Sequence, residues 1–145
     1  MRQLIFAASL LLAACGQGAE TPDIRSGYIR LPAEGATMSA AYLTILRDAD
    51  DRLVGATVEG VERTELHTVI ETDGISRMRP VEGFDLEADQ PLVLQPGGHH
   101  LMLIGLSEPL TAGEERRVTL DFESGATETL QLPVRGSVVQ GNGNL

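Results

Sequence analysis

Two imidazoles and two thioethers stand at spacings that suit one metal ion. His67 is followed after ten residues by Met78, and after twenty-one more by His100-Leu101-Met102. The four lie within thirty-six residues of a 145-residue chain that has only three His and four Met. Thioethers favour Cu(I), while imidazole suits copper and several other transition metals. As chemistry, the set describes a thiolate-free Cu(I) site. Each member alone also has an ordinary explanation. A His-x-Met triplet arises often by chance, Met78 fits a core filler, and His67 fits a surface or hydrogen-bonded histidine.

Strands are the elements that would bring these donors together. Side chains alternate along a strand, so His100 and Met102 project from one face while Leu101 and Leu103 take the other. In Glu65-Leu66-His67-Thr68-Val69-Ile70 the core side is expected at Leu66 and Ile70, with His67 facing away. An Asp73-Gly74 turn predicts a hairpin that carries Met78 back towards His67. Short alternating segments recur from Gly27 onward: 28–31, 40–46, 53–58, 64–70, 75–78, 92–94, 100–104, 116–122 and 127–134. Gly- and Pro-containing turns separate them, at Asp73-Gly74, Pro96-Gly97-Gly98, Ala112-Gly113 and Ser124-Gly125. Many short strands without a sustained helical period predict an all-β sandwich or barrel. Beyond the first residues the aromatics are Phe84, Phe122, Tyr28 and Tyr42, so the core must be aliphatic.

The first residues read as an export signal. Arg2 gives a basic start, residues 4–12 an apolar run, and Leu12-Ala13-Ala14-Cys15 a small-residue boundary. The run is too short to span a bilayer. Leu-Ala-Ala-Cys resembles the bacterial lipobox, in which the Cys becomes the lipidated first residue; the alternative is ordinary cleavage nearby with Cys15 as a free thiol. The expected organisation is a signal at 1–14, a small, polar tether at 15–26, a β-domain at 27–135 and a Gly/Asn-rich disordered tail at 136–145.

Charge narrows the partners. The chain carries 21 Asp and Glu against 11 basic residues, for a net charge of −10, and every basic residue is Arg. Loss of residues 1–14 removes only Arg2 and takes the charge to −11. Such a chain repels phosphate backbones and anionic lipid, so nucleic acid is excluded as a partner and membrane attachment would rest on Cys15.

The spacing His-x10-Met-x21-His-x-Met resembles the motif of the periplasmic copper chaperones that serve the CuA centre of cytochrome c oxidase, the PCuAC-like proteins. His67, Met78, His100 and Met102 match it residue for residue. The surroundings are similar too: 40–45, Glu65-Leu66-His67, Met78-Arg79-Pro80-Val81, and Pro96-Gly97-Gly98 running into the His-x-Met strand. The resemblance spans about Gly27 to Val134. It implies a cupredoxin-like Greek-key β-sandwich or barrel that binds Cu(I) outside the cytoplasm; delivery of copper by docking leads us to expect a monomer. The cargo would go to a cytochrome c oxidase copper subunit or its assembly factors, and with the lipobox at Cys15 the carrier is expected to be a membrane-anchored lipoprotein facing the periplasm. Two features depart from many relatives. Thr68, Val69 and Ile70 follow His67 where a Met often stands, and the tail has no His or Met for a second copper site.

Other readings fit less well. Blue copper requires a Cys thiolate with two His, and Cys15 lies at the signal boundary. Structural zinc would want Cys. No nucleophile motif or paired carboxylate supports an enzyme, and the few aromatics argue against a haem pocket. The serious alternative is a lipid-anchored, non-metal β-sandwich interaction module of the cell envelope. Two residues stay ambiguous: His99, a rim histidine or a Cu(II) ligand, and Met38, a packing residue or a thioether shielding the site.

Overall fold

The structure is a computed structural model that describes residues 23–136. The signal expected at 1–14, Cys15, the first part of the tether and the tail beyond Gly136 lie outside the described residues. Within them are ten strands and no helix: β1 (Asp23–Arg30), β2 (Met38–Leu46), β3 (Asp51–Val58), β4 (Val61–Thr72), β5 (Ile75–Pro80), β6 (Phe84–Leu86), β7 (Leu92–Val93), β8 (His100–Leu106), β9 (Glu115–Phe122) and β10 (Thr127–Arg135). All nine expected strands are present. β6 was not anticipated, because three residues are too few to show an alternation. β1 begins at Asp23, so the tether expected to reach 26 ends earlier. Asp23–Ser26 pairs along Leu46–Thr44 of β2, which satisfies its backbone groups and makes it strand.

The strands run in the order β5-β4-β8-β2-β1-β10-β9-β3-β6, with β7 also beside β2. β1 and β10 are parallel neighbours, Ile29 opposite Val134, and join the half that holds β4 and β8 to the half that holds β9 and β3. Gly27 sits near this junction because any side chain would collide: a Cβ there would lie 2.7 Å from Leu132 Cδ2 and 3.0 Å from Leu43 Cβ. Sequence neighbours β3 and β4 belong to opposite halves, and β8 inserts between β4 and β2.

The core lies between the two halves. Ile29, Leu43, Ile45, Leu101 and Leu103 meet Leu53, Val118, Leu120, Leu132 and Val134, with Phe84 and Phe122 as its only aromatics. Burial of each such side chain contributes about 1.5–3 kcal/mol. Leu66 is 5% exposed, as its alternation predicts, but Ile70 is 48% exposed. The expectation that both face the core therefore fails at Ile70. β4 outruns the core there, and the β4–β5 hairpin overhangs it, with every residue of β5 exposed. The hairpin tip is the expected one. Asp73 and Gly74 have φ of 53° and 74°, the left-handed pair that a tight two-residue turn needs.

Candidate metal centre

His67 and His100 are direct cross-strand partners, on β4 and β8. Their rings stand 5.7 Å apart between centroids. The Tyr42 ring flanks His100 on its other side at 6.4 Å, and Tyr28 backs Tyr42 at 5.2 Å. Leu101 and Leu103 are fully buried in the core, so the alternation sends His100 and Met102 to the opposite face, as expected. That face is not open water. His100 is 2% exposed, covered by its aromatic neighbours and the adjoining loop.

Hydrogen bonds set which nitrogen of each imidazole is free. His100 Nδ1 lies 3.0 Å from the carbonyl oxygen of Gly98. A carbonyl only accepts, so Nδ1 carries the proton and Nε2 keeps its lone pair. His67 Nε2 lies 2.9 Å from Glu65 Oε2, and a carboxylate likewise only accepts, so the lone pair falls on Nδ1. Glu65 is itself gripped by Arg63 at 2.7 Å. The hydrogen bond from His67, then that from Arg63, hold the Glu65 carboxyl below its ordinary pKa. The two free positions, His67 Nδ1 and His100 Nε2, are the buried side-chain nitrogens left without a hydrogen-bond partner among the described residues. Buried polar atoms are otherwise nearly always satisfied. Two orphaned lone pairs on facing residues are what a soft cation would satisfy, and a partner on the far ring nitrogen is the usual support for a ligating histidine.

The thioethers are placed differently. Met102 stands opposite Glu65 on β4 and Ala40 on β2, one alternation along from His100. Met78 stands opposite Val69, which puts it on the same face and one diagonal from His67. Met78, His100 and Met102 line one open cleft of about 800 Å³, together with Tyr42, Pro96 and Met38. His67 flanks them from the next strand. Met78 is nevertheless 61% exposed. In a flat sheet its backbone would lie about 16 Å from that of Met102, two strands across and four residues along. The pair of imidazoles and Met102 are brought together; Met78 waits at the rim, on the overhanging hairpin. Among the described residues no three of His, Cys, Asp and Glu gather as a metal site.

His99 points away from this face. Its Nδ1 lies 2.9 Å from Thr68 Oγ1, and its ring packs on Phe84 at 4.5 Å. Glu65 is the supporting residue that motif reading missed. Its position two residues before His67 on a strand, hence on the same face, was the available signal.

A family model described as "Putative lipoprotein LpqE-like" matches residues 23–134. A "Putative lipoprotein" of Leifsonia xyli subsp. xyli, Lxx21020, is 32% identical over 123 residues, which is 83% of this chain and 73% of that one. Among solved structures, the Cu(I) form of DR1885 from Deinococcus radiodurans superposes with a TM-score of 0.68 at 28% identity, over 86% of this chain and 85% of that one. The copper-bound PCuAC domain from PmoF2 gives a TM-score of 0.66 at 23% identity, over 79% of this chain and 92% of that domain, a likeness of fold. The architecture is therefore all-β and cupredoxin-like.

Proposed function

The chain belongs to the LpqE-like family, and from that membership and the geometry of its four-donor face we propose that it is an extracytoplasmic copper carrier, not an enzyme. It binds Cu(I) through His67, Met78, His100 and Met102 and hands it on for assembly of the copper site of cytochrome c oxidase, to the copper subunit or its assembly factors. The observation that carries the reading is the pair of buried, partnerless nitrogens, His67 Nδ1 and His100 Nε2, on directly paired residues. The Cu(I) form of DR1885, a protein similar in sequence and fold, supports the choice of ion. So does the donor set, since two imidazoles and two thioethers suit Cu(I) better than zinc or Cu(II).

The arrangement fits carriage. Neutral donors leave the complex with a single positive charge. Imidazoles and thioethers release an ion one ligand at a time, and they lack the thiol's tendency to form disulfides in an oxidising compartment. Cys15 supplies the membrane anchor in this reading, which holds the carrier, as a monomer, on the periplasmic side of the envelope. An "LpqE-like" lipoprotein family is consistent with that placement.

An anaerobic Cu(I) titration against a chromophoric chelator tests the function. One equivalent should bind, and His100→Ala and Met102→Ala should each weaken it by about tenfold or more. Failure of the unaltered protein to compete with the chelator would leave a β-sandwich interaction module without a metal.

A further inference from the structure

All three methionines of the described residues, Met38, Met78 and Met102, line the same cleft. Two of them belong to the ligand set above, on which this inference rests. Met38 does not, and ordinary packing does not explain it. It is 50% exposed, while the core is filled by Leu, Ile and Val.

Register fixes its place. Met38 heads β2 opposite Ile104 of β8, and Ala40, two residues on, stands opposite Met102. Met38 therefore shares the face of Met102 and sits on its diagonal, a separation of about 7–8 Å between backbones. Ala40, which shares that face, contributes only a methyl group. The strand pairings then set five soft donors in one diagonal row: Met78 on β5, His67 on β4, His100 and Met102 on β8, Met38 on β2. Met38 lies four residues along from the level of His100, about 13 Å, too far to share a coordination sphere with the imidazoles.

We infer that Met38 is a transit ligand: a fifth soft donor, beside Met102 at the end of the row opposite Met78, that takes the monovalent ion as it enters or leaves the resting site. The step is a ligand exchange. A bond from the Met38 sulfur to Cu(I) forms as bonds from the resting donors break. The ion stays Cu(I), no electron is transferred, and no proton moves, because a thioether carries none.

The test separates rate from affinity. Cu(I)-loaded protein and its Met38→Leu variant are mixed anaerobically with a chromophoric chelator, and both release rate and equilibrium affinity are read. Leucine keeps the bulk of a half-exposed side chain and removes the sulfur. Release should slow by about tenfold while the affinity stays within about threefold. An unchanged rate overturns the transit role. A faster release with weaker binding also overturns it, since that is the behaviour of a resting ligand. Absence of Cu(I) binding in the unaltered protein overturns the carrier reading and this one with it; binding with unaltered release in the variant overturns this one alone.

Discussion

At the scale of single residues, the proposed centre depends on which imidazole nitrogen would face an ion, and Glu65 decides that for His67. Without the carboxylate, Nε2 has no acceptor in place, and the ring is free to rotate or to move its proton to Nδ1. Loss of such an outer partner ordinarily weakens metal binding by about 10–100-fold. Glu65→Ala should therefore lower Cu(I) affinity by at least about tenfold, read by competition with a chelator, with little effect on folding because Glu65 lies at the surface. Undiminished affinity would mean that His67 does not bind through Nδ1. The four donors proposed for the site stood out because the set of soft donors is rare in this composition. Glu65 was not legible, because the chain carries 21 acidic residues and its one distinguishing signal, a place two residues before His67 on the same strand face, carries weight only once the strand and the ligand are known. The loop carbonyl of Gly98 that orients His100 leaves no trace in side-chain chemistry at all.

At the scale of elements, the β4–β5 hairpin differs from the rest of the fold. Its tip and both faces lie beyond the core: Ile70 and Ile75 are 48% and 55% exposed on one side, Met78 61% on the other. Segments with few buried contacts open at low cost. Copper bound to both His67 and Met78 would staple β5 to β4 and draw the hairpin over the cleft. Backbone amides of Ile75–Arg79 should then exchange with solvent at least about tenfold more slowly in the Cu(I) form than in the apo form, whereas amides of β9, far from the ion, should be unaffected. Equal exchange in both forms would show that Met78 does not join the ion. Strand existence was legible from period-two alternation and from turn pairs such as Asp73-Gly74. The overhang was not, because alternation gives the side to which Ile70 points but not whether a partner sheet still lies beneath it. The start of β1 was missed for a related reason. Asp23–Ser26 is polar and resembles a tether, yet pairing with β2 fixes it.

At the scale of the molecule, stability rests on an aliphatic core closed by one buried ion pair that composition could not reveal. Arg47, at the end of β2, pairs with Asp51, which opens β3; their side chains are 9% and 4% exposed. The Arg47 guanidinium lies over the Phe122 ring at 4.9 Å. Asp51 also accepts hydrogen bonds from Ser124 Oγ at 2.7 Å, Ser124 N at 3.1 Å and Arg52 N at 2.8 Å, which ties β3 to the β9–β10 turn. Burial raises the Asp51 pKa, but the hydrogen bonds from Ser124 and Arg52, with the Arg47 charge, outweigh it and leave the carboxyl below its ordinary value. The sign follows. A carboxyl with a lowered folded pKa contributes stability that is fully present above its unfolded value, about 3.9, and is lost as pH falls through the folded value. Asp51→Asn should therefore cost about 3 kcal/mol at pH 7, where it removes the carboxylate charge facing the buried Arg47 guanidinium. The difference should shrink steadily as the pH is lowered through about 4 and below, because the native carboxyl is then itself becoming neutral. Urea unfolding of both proteins at pH 7 and at acid pH measures this directly. An equal penalty at both would show that Asp51 acts through its shape and neutral hydrogen bonds, and that its charge adds nothing to the fold which holds the four-donor face in register.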